Sequence, residues 1–395
     1  MILEWKRPDH IVPEYSLTGD LLSYRSCEMQ YRYYNGSSLP PSRPVQLWYG
    51  EFIHGVLEEA FRLWQENAFT FPWPYTEISE TSNPEPPPDD LPVNDLRRLA
   101  WPIERALVQQ NKRARSRRAR RSAYRRAEAA INMLGPRLFS LISVAEQRLI
   151  GTRDMLPPND GAGLRAARYV LTGVIDVLTN IELAAVEPEN PIARAVREVC
   201  PDMRGNFEVI VDYKSSHRPA TDDQRHWLPG EWQVKTYAWL RQRQPDAPRV
   251  AAGVLLYLNE LSPSANDVER MRREVNSGRT DVLPRRGSRD DRELQLTRSG
   301  SQVNLSEEYR LRRAIRVVPI GAETLDDATH EFDVIVSEIE ARIAREAQTG
   351  SISGTWPPTC LEERTCVACD FLAFCPRPAG RARTATREEI DPEEI

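Results

Sequence analysis

Apolar residues along Trp48–Trp64 recur at helical spacing. Phe52, Val56, Leu57, Ala60, Phe61 and Trp64 form one stripe, which predicts an amphipathic helix. Tyr169–Thr179 and Asn206–Ser216 are short runs rich in β-branched residues, and both read as strands. Ala314–Ile320 reads as a last strand, and Trp101–Gln110, Ala127–Leu134, Glu231–Leu240 and Asp326–Gln348 read as helices. Between these elements the periodicity lapses. Phe71–Pro92 is a loop rich in proline and acid, and Glu187–Gly205 separates two strands. Ser262–Ser306 is polar, charged and glycine-punctuated, so it is expected to be a mobile insertion. Gly380–Ile395 is a polar tail expected to be disordered.

Polar residues that interrupt the apolar runs carry the candidate chemistry. One strand ends in Asp212-x-Lys214, and alternation puts both side chains on one face of a sheet. A carboxylate there can hold a hard divalent cation, and the ammonium can position or activate a water. A surface ion pair is the plain alternative. Asp176 is the only charged residue of its strand and follows Gly173 by three places. A lone carboxylate in an apolar run is costly unless paired or metal-bound, and glycine permits a bulge or a close backbone approach. His54 lies on or beside the helical stripe, where a satisfied core histidine and a metal ligand are both open readings. Gln233 and Tyr237, four apart, share a helix face.

Composition narrows the setting. The 395 residues carry a formal charge of −5, so basic character toward nucleic acid has to be local. Neither a signal peptide nor an apolar run long enough to span a membrane is visible. The expectation is a cytoplasmic chain with reduced thiols, in which metal ligation is favoured over disulfides. Of six cysteines, Cys366, Cys369 and Cys375 form C-x2-C-x5-C, and Cys27 stands far upstream. Cys360, six residues before the triplet, is a competing ligand that reads, with Cys200, as an ordinary thiol. Spacing alone leaves zinc and an iron–sulfur cluster both open. No G-x-x-x-x-G-K-[ST] phosphate loop occurs.

The order of the motifs is helix histidine, strand G-x-x-D, strand D-x-K and helix Q-x-x-x-Y. Carried by His54, Gly173, Asp176, Asp212, Lys214, Gln233 and Tyr237, it resembles the RecB-like nuclease family of the PD-(D/E)xK superfamily. Glu146 resembles the acidic residue that often precedes the G-x-x-D hairpin in that family. The resemblance implies an α/β fold with a restriction-endonuclease-like core, a central mixed sheet flanked by helices. It implies one domain over residues 1–379, with insertions at about 71–135, 187–205 and 262–306 and a cysteine cluster at 360–375. It also implies one Mg2+ or Mn2+ on His54, Asp176 and Asp212, with the Tyr213 carbonyl as a further ligand. Asp176, Asp212 and Lys214 would serve catalysis, and Gln233 and Tyr237 would steady the DNA backbone near the cut. An iron–sulfur subgroup of the family, to which CRISPR-adaptation nucleases belong, has one cysteine before the histidine helix and a similar triplet after the core. That implies a structural four-iron, four-sulfur cluster on Cys27, Cys366, Cys369 and Cys375, joining chain ends that share few other contacts.

Local basic character does occur. Lys112–Arg126 contains no acid. Alanine and arginine favour helix, and basic residues all round such a helix would keep it out of a core. In a nuclease, Arg113, Arg117, Arg118, Arg120 and Arg121 would then track DNA phosphates. The implied function is a metal-dependent deoxyribonuclease, an exonuclease on single-stranded or end-exposed DNA in repair, recombination, CRISPR adaptation or anti-phage defence. The alternative is a non-catalytic or partner-dependent DNA-binding subunit, working with a helicase, an integrase or a defence-system protein.

Overall fold

The computed structural model describes residues 12–36, 45–78, 84–114, 116–157, 165–182, 185–295 and 304–360, and beyond them 366, 369, 371, 372, 375 and 376. Its α/β architecture is built on one mixed sheet of six strands: β1 (Glu14–Ser16), β2 (Ile142–Asp154), β3 (Arg168–Glu182), β4 (Asn206–Lys214), β5 (Val250–Tyr257) and β6 (Ile315–Pro319). The order is β1-β3-β4-β5-β6, with β2 also paired to β3. β3 runs antiparallel to β4 through Val177–Glu182, β4 runs parallel to β5, and β6 is antiparallel to β5. The helices are α1 (Ser23–Ser26), α2 (Glu28–Tyr34), α3 (Val45–Asn67), α4 (Leu96–Gln109), α5 (Arg117–Leu138), α6 (Pro191–Val199), α7 (Gln224–Gln242), α8 (Ala265–Ser277), α9 (Arg289–Gln295), α10 (Glu307–Ala314) and α11 (Ala322–Thr349).

β4 is buried on both faces, and its side chains sort by parity. Phe207, Val209, Val211 and Tyr213 join one apolar cluster with α3, α4 and α5. Ile210 joins a second cluster with α7 and α11. Alternation thus sends Asp212 and Lys214 toward α7. That helix lies unusually close to the sheet because glycines line its seat. A Cβ on Gly151, Gly173 or Gly253 would come within 2.7, 2.7 and 2.5 Å of Trp239, Tyr237 and Val234 respectively. Gly173 therefore serves a close approach, and the irregular pairing falls in β2, near Ile142–Val144.

Two expectations change, and the 187–205 segment, which separates two strands as expected, gains a helix. The 262–306 region is not a mobile insertion where it is described. Ser264 and Asp267 close a capping box at the start of α8, and Val268, Met271, Leu294 and Tyr309 bury a small core of their own. Residues 296–303 lie outside the described residues. The 187–205 segment holds α6, started by Asn190 accepting from Ile192 and Ala193 N–H groups, and β3 and β4 still pair across it. The basic segment is not one continuous helix kept out of a core. α5 starts at the Ser116 cap, and Ala123, Tyr124, Ala127, Ala130 and Ile131 face the core. Phe71–Pro92 is irregular as expected, although Trp73 and Ile78 are buried and 79–83 lie outside the described residues. The 380–395 tail also lies outside them.

Candidate active site

The C-terminal end of β4 presents Asp212, only 2% exposed. Lys214 Nζ lies 2.5 Å from Asp212 Oδ2 and donates to Gln233 Oε1 at 2.6 Å. Gln233 Nε2 in turn donates to the Tyr237 hydroxyl at 3.0 Å. Gln233 and Tyr237 are both buried, so the pair expected on the DNA backbone instead supports the lysine from beneath. Tyr237 fits there because Gly173 has no side chain to exclude its ring.

Asp176 meets the same end of the sheet from β3. Its Oδ2 accepts the Tyr213 backbone N–H at 2.8 Å, and its Oδ1 stands 3.5 Å from His54 Nδ1. His54 Nε2 donates to the Tyr213 carbonyl at 3.0 Å. That carbonyl, expected as a metal ligand, here anchors the imidazole, and its second lone pair keeps it eligible as a ligand. His54 is thus a bridge from α3 to the strand ends rather than a core residue. Glu146 has a left-handed backbone, φ 53°, and lies between the pairs Ala145↔Val177 and Gln147↔Ile175, opposite Asp176.

Charge is crowded at this end. Burial alone would lower His54, but the Asp176 carboxylate outweighs it and raises the imidazole to about 9. Burial would raise Asp176, yet His54 and the Tyr213 N–H hold it below the usual carboxylate range. Asp212 is pushed up by burial, with Asp176 adding to the push, although Lys214 opposes it. Glu146 is raised to about 7 by burial, by Asp176 and by Glu58.

Among the described residues, no three His, Cys, Asp or Glu side chains stand in a ready metal cage. His54 faces Asp176, and Lys214 faces Asp212. The donor chemistry nevertheless fits a hard divalent ion. Two carboxylates and an imidazole meet at one sheet end, and Asp212 Oδ2 is buried without a well-formed hydrogen bond. Four of the cysteines share a different corner. Cys27 and Cys360 are buried in the apolar cluster beside α11, and Cys366 and Cys375 pack against it. None of the six cysteines, all of them among the described residues, forms a disulfide. Of the aromatic residues flanking them, Phe371 stacks on Tyr33 with centroids 5.2 Å apart.

The basic helix divides. Arg113, Arg117 and Arg118 are exposed and Arg121 is half-buried. Arg120, expected on DNA, is 3% exposed and pairs with Glu104 on α4, so it belongs to the interior. A polar connection legible only in three dimensions also reaches the site. Asn259 Nδ2 donates to the Ser215 carbonyl at 2.8 Å, the Tyr49 hydroxyl donates to Asn259 Oδ1 at 2.7 Å, and Arg126 donates to Tyr49 at 3.1 Å. Its one sequence signal is the polar pair Asn259–Glu260, directly after the apolar run Val250–Leu258.

No helix among the described residues is long and apolar enough to cross a membrane. A search of curated proteins finds no match to the chain. Residues 202–376, less than half of the chain, match the family model of the PD-(D/E)XK nuclease superfamily, a match that takes in Asp212, Lys214, Gln233 and Tyr237 and that suggests a metal-dependent nuclease.

Proposed function

We propose that the protein is a Mg2+- or Mn2+-dependent deoxyribonuclease of the RecB-like type. The observation that carries this reading is the meeting of His54–Asp176 and Asp212–Lys214–Gln233 at the ends of β3 and β4. His54, Asp176 and Asp212 would hold the ion, with the Tyr213 carbonyl beside them. When bound, the ion polarises the scissile phosphate and acidifies a water. Lys214 places a cation where charge develops on the phosphoryl oxygens, and Gln233 fixes its direction. Tyr237 and Gly173 hold Gln233 in place and touch no substrate. Glu146, raised to about 7, offers a carboxyl that exchanges a proton near neutrality.

The same proposal includes one catalytic domain over residues 1–379 and a four-iron, four-sulfur cluster on Cys27, Cys366, Cys369 and Cys375. Support comes from Cys27, Cys366 and Cys375 packing on one apolar cluster. Iron analysis of anaerobically purified protein tests it, since a zinc site would give a colourless protein.

Degradation of end-labelled DNA with Mn2+ tests the activity. Wild-type protein is expected to shorten the DNA, and Asp212→Asn to be slower by roughly 100-fold or more. An Asp212→Asn protein with full activity would overturn the assignment.

A further inference from the structure

A cavity of about 580 Å3 opens beside α5, within the ~300–1,000 Å3 typical of ligand pockets. Arg117, Arg118, Arg121, Arg125 and Arg126 line it, and among the described residues no acidic side chain does. Arg117 and Arg118, Arg121, and Arg125 sit on successive turns of α5, about 5.4 Å apart along the axis. Opposite them stands Ser264, the N-cap of α8. The planar forks of the guanidinium groups match phosphate oxygens two at a time. Arg125 pairs with Glu77, but both side chains are more than half exposed, so the pair holds little and can yield to a phosphate.

The floor of the cavity leads to the candidate active site. Arg126 is buried, bonds Asp267 of α8 at 3.1 Å, and places its guanidinium 5.7 Å from the Tyr49 ring centre. Tyr49 lies on α3, five residues before His54, and connects through Asn259 to the Ser215 carbonyl, next to Lys214.

We propose that this arginine cavity is a second phosphate seat, which grips the backbone of the DNA strand away from the phosphate being cut. The inference rests on the nuclease reading and extends it, since Arg125 and Ser264, which both line the cavity, join the binding surface while the buried Arg120 leaves it. Its ligand is phosphate, and a nucleic-acid backbone is the source to which the proposal commits.

Binding of a fluorescent single-stranded oligonucleotide in EDTA, where no cleavage occurs, tests the seat apart from the activity. The Arg118→Gln/Arg121→Gln/Arg125→Gln protein is expected to bind more weakly, and its log–log salt slope to flatten by ~0.7 for each phosphate no longer neutralised. The matching triple lysine variant, which keeps the charge, is expected to hold most of the slope and to report that folding is intact. An oligonucleotide with an uncharged methylphosphonate backbone should no longer distinguish the variants. Unchanged affinity and slope in the glutamine variant, with Mn2+-dependent cleavage intact in the wild type, would overturn the seat and leave the nuclease reading standing. A flattened slope in a protein that never cleaves would leave the seat standing and overturn the nuclease reading. Binding of inorganic pyrophosphate that depends on the arginines, with DNA binding unaffected, would overturn the strand assignment in favour of a free phosphate ligand.

Discussion

Lys214 is held by Asp212 on its own strand and by Gln233 on the facing helix. Its stem also runs past Gly230, where an added Cβ would stand 3.4 Å from the lysine Cε. Position, rather than charge alone, is what Gln233 supplies. Gln233→Leu should therefore lower kcat by about tenfold to 100-fold while leaving DNA affinity in EDTA unchanged. Equal loss of affinity and rate would show that Gln233 touches the substrate. The proposed metal ligands make a separate prediction. His54 keeps its proton up to about 9 beside Asp176, and burial raises Asp212. A divalent ion bound there would displace the His54 proton, so Mn2+ affinity should climb with pH through neutrality and binding should release a proton. Calorimetric titration in buffers of different ionisation enthalpy measures the release. Affinity that does not vary between about pH 6 and 9 would remove His54 from the ligand set. Without metal the sign reverses. The His54–Asp176 pair adds stability below ~6.5, and that stability is lost as pH rises through about 9.

At the scale of elements, α5 is two helices in one. Over its first three turns one face carries arginines toward a surface cavity, while another carries Ala123, Tyr124 and Ala127 into the core. Arg120 turns inward, buried with Glu104 and the Tyr124 hydroxyl. Arg120→Ala leaves a carboxylate buried without its partner and should destabilise the fold by ~3–5 kcal/mol. Arg118→Ala, on the exposed side, should stay within ~0.5 kcal/mol. Chemical denaturation of the two variants checks both figures, and equal stability would place Arg120 at the surface. The helical nature of α5 was legible in its alanine and arginine content. Which arginine turns inward was not, because the partner Glu104 lies on another helix, 16 residues away.

At the scale of the whole molecule, the segments 24–32 and 342–357 meet. Arg32 forks onto Glu346 with two bonds of 2.7 Å, and Arg342 reaches Glu28 at 2.9 Å. Trp356 packs against Tyr24 and Tyr31, and the Met29 N–H donates to the Pro357 carbonyl at 3.2 Å. The described segments that flank the cysteines therefore share many contacts, contrary to expectation. If the proposed cluster is present, Cys27→Ser should lose iron yet keep a cooperative thermal transition, because these contacts hold the corner by themselves. Iron content and melting measured on the same preparation check this. Global unfolding on the loss of one thiol would make the cluster the main clamp.

Local and periodic features were determined by the sequence alone. Strand alternation puts Asp212 and Lys214 on one face, and a lone carboxylate in an apolar strand singles out Asp176. The helical stripe of α3 brings His54 to the sheet. Only the tertiary structure decided what depends on partners distant along the chain. Gln233 and Tyr237 turn inward because Gly173 leaves room for a ring. Arg120 is buried because Glu104 meets it there. The polar 262–306 region is folded because Val268 and Met271 find Leu294 and Tyr309. The arginines of α5 border a cavity because the cap of α8 faces them. Burial and pairing are properties of contacts, and contacts between distant residues leave no period in a sequence to be read.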